Sequence, residues 1–232
     1  VTVPTRKVNG IGERCEIGRI GARMGTMNDV ALRSEEVDGR HLRRERNREA
    51  VVEALLEFYR EGNLQPSATE VAERAGSSAR SLFRYFDDVD DLCSEAIRRQ
   101  NQRIMPLAMF DIDLSESFSE RLDTLINARM TMFEANGFLG QVARMRAPIQ
   151  PLIAAELAQG RTFMRNQVKK ILAPELGALD PVRAEGALAA IDVLCSWEGY
   201  QLLRVDQGHN RATASAILRT SIATLLGITL AD

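Results

Sequence analysis

The sequence predicts an all-α fold: an N-terminal three-helix domain carrying a helix-turn-helix, then a larger helical domain. Three observations predict it. Apolar residues recur at spacings of three and four in one segment after another, as they do on helices with a buried face. Residues able to cap a helix, Ser67, Ser78 and Asp88, each stand just before such a segment. No stretch alternates apolar and polar residues as a half-buried strand would.

The chain has 232 residues, 45% of them hydrophobic and 27% charged, with 30 Lys+Arg against 32 Asp+Glu. That suits one medium domain or two small ones with a real core, and it excludes a wholly disordered chain. No run of about 18 apolar residues is present, so neither a transmembrane helix nor a membrane partner is expected. The first residues show no apolar h-region of a secretory signal. Cys15, Cys93 and Cys195 form no CxxC and read as free thiols of a cytoplasmic protein. His41 and His209 are the two histidines. They supply no HExxH, no His-rich zinc site and no recognisable nucleophilic triad, so neither a metal nor a cofactor is expected.

Residues 1–40 are Gly-rich and aperiodic, and are predicted to be a disordered extension. Met24 and Met27 within them are each an alternative start. Arg40, Arg43, Arg44, Arg46 and Arg48 then open the first helix, whose apolar stripe runs through Val51, Val52, Leu55, Leu56, Phe58 and Tyr59. Gly62 stops it. Ser67 and Glu70 have capping-box spacing at the start of a short second helix. Its inner face is Val71, Ala72 and Ala75, and Gly76 ends it. Ser78 caps a third helix carrying Leu82, Phe83 and Phe86. Asp88 caps a fourth, with Asp90 and Asp91 suiting its positive end. That helix runs to about Met105, before Pro106. These elements divide the chain into an N-terminal domain at 41–92 and a second domain at 93–232. Further helices are predicted near 117–135, 138–146, 151–172, 182–205 and 211–227, punctuated by Asn136-Gly137, Pro148, Pro174, Pro181 and Asp206-Gln207-Gly208.

Residues 67–86, two short helices joined at Gly76, have helix-turn-helix spacing. Arg80 and Arg84 are four apart and share the outer face of the second helix, while Leu82 and Phe86 share the inner one. An arginine there can read guanine in the major groove; Ser78, Ser81 and Tyr85 beside it suit phosphates. Thr69 in the first helix of the pair, together with Arg44 and Arg48 upstream, completes the expected DNA-contacting set.

At this point the sequence resembles the tetracycline-repressor (TetR) family of transcription regulators. The resemblance covers about residues 43–96. Ser67-x-x-Glu70-Val71-Ala72-x-x-Ala75-Gly76-Ser77-Ser78 follows the family pattern, and Ser81-Leu82-Phe83-Arg84-Tyr85-Phe86 and Leu92 continue it. Four positions depart from it: Ser77 in the turn, Phe83 where Tyr is usual, Tyr85 at a frequent His position, and Val89 where Lys is common. Phe83 and Val89 each remove a phosphate contact, which weakens electrostatic anchoring.

The resemblance implies a dimer on a palindromic double-stranded operator, and a C-terminal domain that binds a small effector and dimerises. Soft side chains suited to an apolar effector pocket are Met105, Met130, Phe133, Met145, Phe163 and Trp197. The last two predicted helices are apolar on more than one side. They offer Leu194, Leu202, Leu218, Ile222 and Leu225 as the dimer interface.

Two other readings remain open. Asp87-Asp88-Val89-Asp90-Asp91 spells the DDxxD of all-helical Mg²⁺-dependent enzymes, although acids also suit a helix start without metal. A helical scaffold that binds no DNA is the third. Net charge does not choose among them, since even residues 40–92 carry more acids than bases. For a DNA-binding protein, this balance predicts modest non-specific affinity, with specificity resting on a few arginines and on dimer geometry.

Overall fold

The computed structural model describes residues 27–111 and 113–230, with side chains from His41 onward. The expectation of disorder for residues 1–26 lies outside the described residues; 27–40 have helical backbone, where a loose extension was expected. The chain divides into two units between Arg44 and Glu45.

The described elements are all helical, as predicted. They are α1 (Met27–Arg60), α2 (Ala68–Arg74), α3 (Ala79–Leu82), α4 (Val89–Ala108), α5 (Phe118–Asn136), α6 (Leu139–Arg146), α7 (Pro151–Ile171), α8 (Ala173–Gly177), α9 (Pro181–Leu194), α10 (Trp197–Gln201) and α11 (Arg211–Leu226). The predicted caps form. Ser67 Oγ accepts the Glu70 N–H at 3.2 Å while Glu70 Oε2 accepts the Ser67 N–H at 2.8 Å. Ser78 and Asp88 accept the N–H groups of Ser81 and Asp91. Pro106 does not end α4, which continues to Ala108.

Two large cores and a smaller cluster of Ala108, Met132, Phe133 and Trp197 organise the larger unit, 45–232. The first joins Val51, Leu55 and Tyr59 of α1 to Val71, Leu82 and Phe86. It also takes in Leu92, Ala96 and Ile97 of α4, Leu139, Val142 and Ala143 of α6, and Ile153 of α7. The predicted boundary at 92/93 therefore cuts through one helix and one core. Hydrophobic burial of a shared face makes these parts a single body.

The second core packs Leu122, Leu125 and Met130 of α5 with Val168 of α7, Leu188 and Ile191 of α9, and Leu218 and Ile222 of α11. This corrects the expected interface. Leu218 and Ile222, 3% and 0% exposed, are filled in by their own protomer and have no surface to offer a second subunit. Leu194 and Leu225 are half-buried against the same core, whereas Leu202 is exposed.

The single helix predicted over 182–205 is broken after Leu194. The Ser196 hydroxyl accepts the Gly199 N–H at 3.1 Å and starts α10. A Cβ at Gly199 would lie 2.6 Å from the Leu194 carbonyl oxygen, so only glycine allows this close return. A π-helical turn, Leu202–Asp206, follows α10. The break turns Trp197 inward, where it is 3% exposed.

Candidate nucleic-acid interface and ligand cavity

Gly76 joins α2 to α3 with φ of 65°, a left-handed conformation that a side chain would strain. The pair is seated on α1 partly through Arg74, which lies 3.5 Å from the centre of the Phe58 ring and donates to Glu61 at 2.8 Å. Leu82 and Phe86 are buried as expected, and Arg80, Arg84, Ser78 and Thr69 are exposed.

The reader helix is shorter than predicted. Regular α-helix ends at Leu82, and the chain tightens to three-residue bonds, Arg84 N–H to Ser81 O and Tyr85 N–H to Leu82 O. Arg80 and Arg84 are thus not simply one α-turn apart. Ser78 Oγ, besides capping, donates to Ser81 Oγ at 3.1 Å. Tyr85 is half-buried, and its hydroxyl accepts from Asn47 Nδ2 at 3.3 Å.

Arg48 departs from its expected role. Its guanidinium donates to Glu95 at 3.2 Å and lies 4.9 Å from the centre of the Phe86 ring, so it braces α1 on α4 instead of standing ready for phosphate. Burial raises the Glu95 carboxyl, but hydrogen bonds from Arg98 and Arg48 outweigh it and hold it below the usual carboxylate range. Arg44 is exposed and falls in the unit 1–44.

The acidic run is used locally. Asp88 caps α4, Asp91 Oδ2 accepts the Asp87 N–H at 3.2 Å, and Asp90 pairs with Arg146 of α6 at 2.5 Å. These contacts give each of the three carboxylates a structural role that needs no metal.

A cavity of about 890 Å³ opens among α4, α5, α6, α7 and α10. Met105, Phe133, Phe163 and Trp197 line it. Met130 and Met145 do not: Met130 is 1% exposed within the second core, and Met145 is solvent-exposed outside the cavity. Sequence reasoning missed Ile104, Leu157 and the polar lining of Arg98, Asn101, Asn136, Arg144, Glu156 and Arg161. Charged residues at helical spacing read as a solvated face, and only the assembled helices show that these border a cavity.

Trp197 is set by aromatic and glycine contacts. It makes an edge-to-face pair with Phe133, ring centres 5.7 Å apart, and packs against Tyr200 at 5.6 Å. Gly140 of α6 leaves room for the indole; a Cβ there would fall 2.6 Å from the ring. Arg144 of the same helix lies 5.4 Å from the centre of that ring and donates to Glu198 at 2.7 Å. Arg161 donates to Glu198 as well, at 2.9 Å. Burial raises the Glu198 carboxyl, but the hydrogen bond and charge of Arg144, with the bond from Arg161, bring it down to about 2.

No protein-family model and no curated protein matches the sequence. Solved structures do match. A transcriptional regulator from Rhodococcus sp. Rha1 superposes with a TM-score of 0.61 at 16% identity, covering 80% of this chain and 99% of that one. A tetR-family transcriptional regulator from Streptomyces coelicolor gives 0.59 at 18% identity, over 77% and 81% of the two chains. The chain therefore has the all-helical fold of TetR-family transcriptional regulators.

Proposed function

We propose that this protein is a DNA-binding transcription regulator, a repressor that leaves a palindromic operator when a small, largely apolar effector fills the cavity. The observation that carries the reading is the double use of α4. Its first half packs beneath the helix-turn-helix through Leu92, Ala96 and Ile97, and its second half lines the cavity through Arg98, Asn101 and Met105. Helix α6 is used the same way. Leu139, Val142 and Ala143 enter the first core, Gly140 faces Trp197, and Arg146 holds Asp90 at the start of α4. An effector that binds one arrangement of these helices more tightly shifts the equilibrium by that difference in affinity and no more. A role at an operator implies a cytoplasmic protein.

Selection from random duplex DNA by the purified protein tests the class. Enrichment of a palindrome supports the regulator, and no enrichment at low salt refutes it. Within the selected site, Arg80→Ala is expected to lose roughly 1–3 kcal/mol of discrimination at one base position. Equal losses on cognate and scrambled duplexes at fixed salt would assign Arg80 to the phosphates instead.

Two reader helices address half-sites about 34–36 Å apart only as a two-fold dimer. With Leu218 and Ile222 used internally, the surface proposed for a second subunit is the outer line of α9 and α11. Val182, Gly186, Ala189 and Val193 lie exposed along α9 at spacings of four, three and four, beside exposed Ala212, Ala216 and Thr220 of α11. Small and β-branched residues of this kind let two helices approach closely. Val193→Asp, with Val193 66% exposed in the protomer, is expected to halve the sedimenting mass at unchanged helical circular dichroism. An unaltered sedimentation profile refutes this interface.

A further inference from the structure

The charges lining the cavity are matched unequally. Arg98 Nε and Nη2 donate to Glu95 at 3.0, 2.5 and 2.6 Å. Arg144 and Arg161 are both held by Glu198. The Glu156 carboxylate, in contrast, accepts a single hydrogen bond, from the neutral amide of Asn101 at 3.0 Å. Among the described residues no cation pairs with it. Arg98 is raised above its ordinary value first by its hydrogen bonds to Glu95 and least by the charge of Glu156. Each of the three guanidinium groups has a carboxylate partner, Arg144 and Arg161 sharing one, whereas the Glu156 carboxylate has a neutral partner.

The surroundings of Glu156 have a direction. Glu156, Gly160 and Phe163 all line the cavity from one face of α7, and seven residues of helix span about 10 Å. Gly160 between them would meet nothing with an added Cβ, so the floor from the carboxylate to the ring is open. Met105, Met164, Phe133 and Trp197 line the same cavity, the last three packed in one cluster. Thioether and aromatic surfaces accept an apolar body without imposing one shape. Aromatic faces also attract positive charge. A carboxylate in a partly desolvated pocket pairs with a cation more strongly than in water.

Resting on the reading of this cavity as the effector site, we propose that the effector is an amphiphilic cation. Its single positive charge, an amine or quaternary ammonium, is held by Glu156, and its apolar body lies over Gly160 against Phe163 and the methionines. An anionic amphiphile would instead have to reach Arg144 and Arg161, which share the one Glu198 carboxylate, and would gain nothing from Glu156.

The chain contains one tryptophan, and it lines the cavity, so its fluorescence reports occupancy directly. The full-length protein is titrated, below micellar concentrations, with decyltrimethylammonium, 1-decanol and decanoate, which share a chain length and differ in charge. The expected result is that the cation binds about tenfold or more tighter than the alcohol, because the quaternary ammonium, which donates no hydrogen bond, meets the carboxylate charge to charge in a partly desolvated site. Glu156→Gln, which keeps the shape and the Asn101 contact, is expected to bring cation and alcohol within about threefold, chiefly by weakening the cation. Preference for decanoate, or a cation preference that survives Glu156→Gln, overturns the cation assignment and leaves the effector site standing. If none of the three probes changes the Trp197 signal or the melting temperature, the cavity is not an amphiphile site and the effector reading itself falls.

Discussion

Replacing Ile222 by Asp is expected to unfold the protomer, not to separate two subunits. Ile222 is 0% exposed and packs among Ile126, Ile191 and Leu218 in the second core. Truncating a buried Ile to Ala costs about 2–5 kcal/mol. An aspartate adds the cost of a carboxylate with no cation to meet it, which is relieved only by taking up a proton. Against a typical total stability of about 5–15 kcal/mol, little of the native population survives. The measurement is circular dichroism together with sedimentation. Loss of the helical signal, or aggregation, is the expected outcome, while a folded species of protomer mass would return Ile222 to the interface. The contrast with Val193→Asp separates the two roles, because a charge on exposed α9 surface leaves the core intact.

Legibility in the sequence tracks the range of the interactions involved. The caps at Ser67, Ser78 and Asp88 could be read because each is a bond between residues three apart, written in the local order of residue types. The turn at Gly76 is equally local. Which face of an apolar helix meets which neighbour is not. Met130 and Met132 differ by two positions, nearly opposite sides of α5, and a composition rich in methionine cannot say which one borders a cavity. Met130 went to the second core and Met132 to the cavity wall. Leu218 and Ile222 were recognisable as buried, but periodicity does not tell burial in the protomer from burial in a dimer. The break at Ser196 was hidden because it depends on the return of Gly199 to the Leu194 carbonyl. The role of Arg48 was hidden for the same reason, since its partner Glu95 stands 47 residues away.

Arg121 is a second position with a large expected effect, and its neighbour in type, Arg129, shows why. Both guanidinium groups belong to α5, and the residues are 3% and 1% exposed. Arg121 donates to the Glu116 carbonyl at 3.2 Å, to the Ile171 carbonyl at 2.5 Å and, through both terminal nitrogens, to the Glu175 carboxylate. It thus closes the C-terminal end of α7, where a positive charge also complements the helix dipole, and ties it to α8. Arg121→Met leaves Glu175 without its cation and the Ile171 carbonyl without its donor. Breaking a buried ion pair from one side costs about 3–5 kcal/mol, and at about 2–4 °C per kcal/mol the melting temperature is expected to fall by roughly 6–20 °C. Arg129 makes neutral contacts instead: it donates to Gln167 at 2.9 Å and to the Met164 carbonyl at 3.1 Å, and its Nε has no partner. Burial holds its guanidinium below the ordinary value. Arg129→Met strands no carboxylate; it takes a donor from the Gln167 and Met164 oxygens but also removes a desolvated charge, so the net cost is small beside that of Arg121→Met. Thermal melts of the two variants are expected to diverge, with Arg129→Met near or above the parent and Arg121→Met well below it. Equal losses would mean that Arg129 is paired in solution by an anion, and that its charge, not its length, holds α5 against α7.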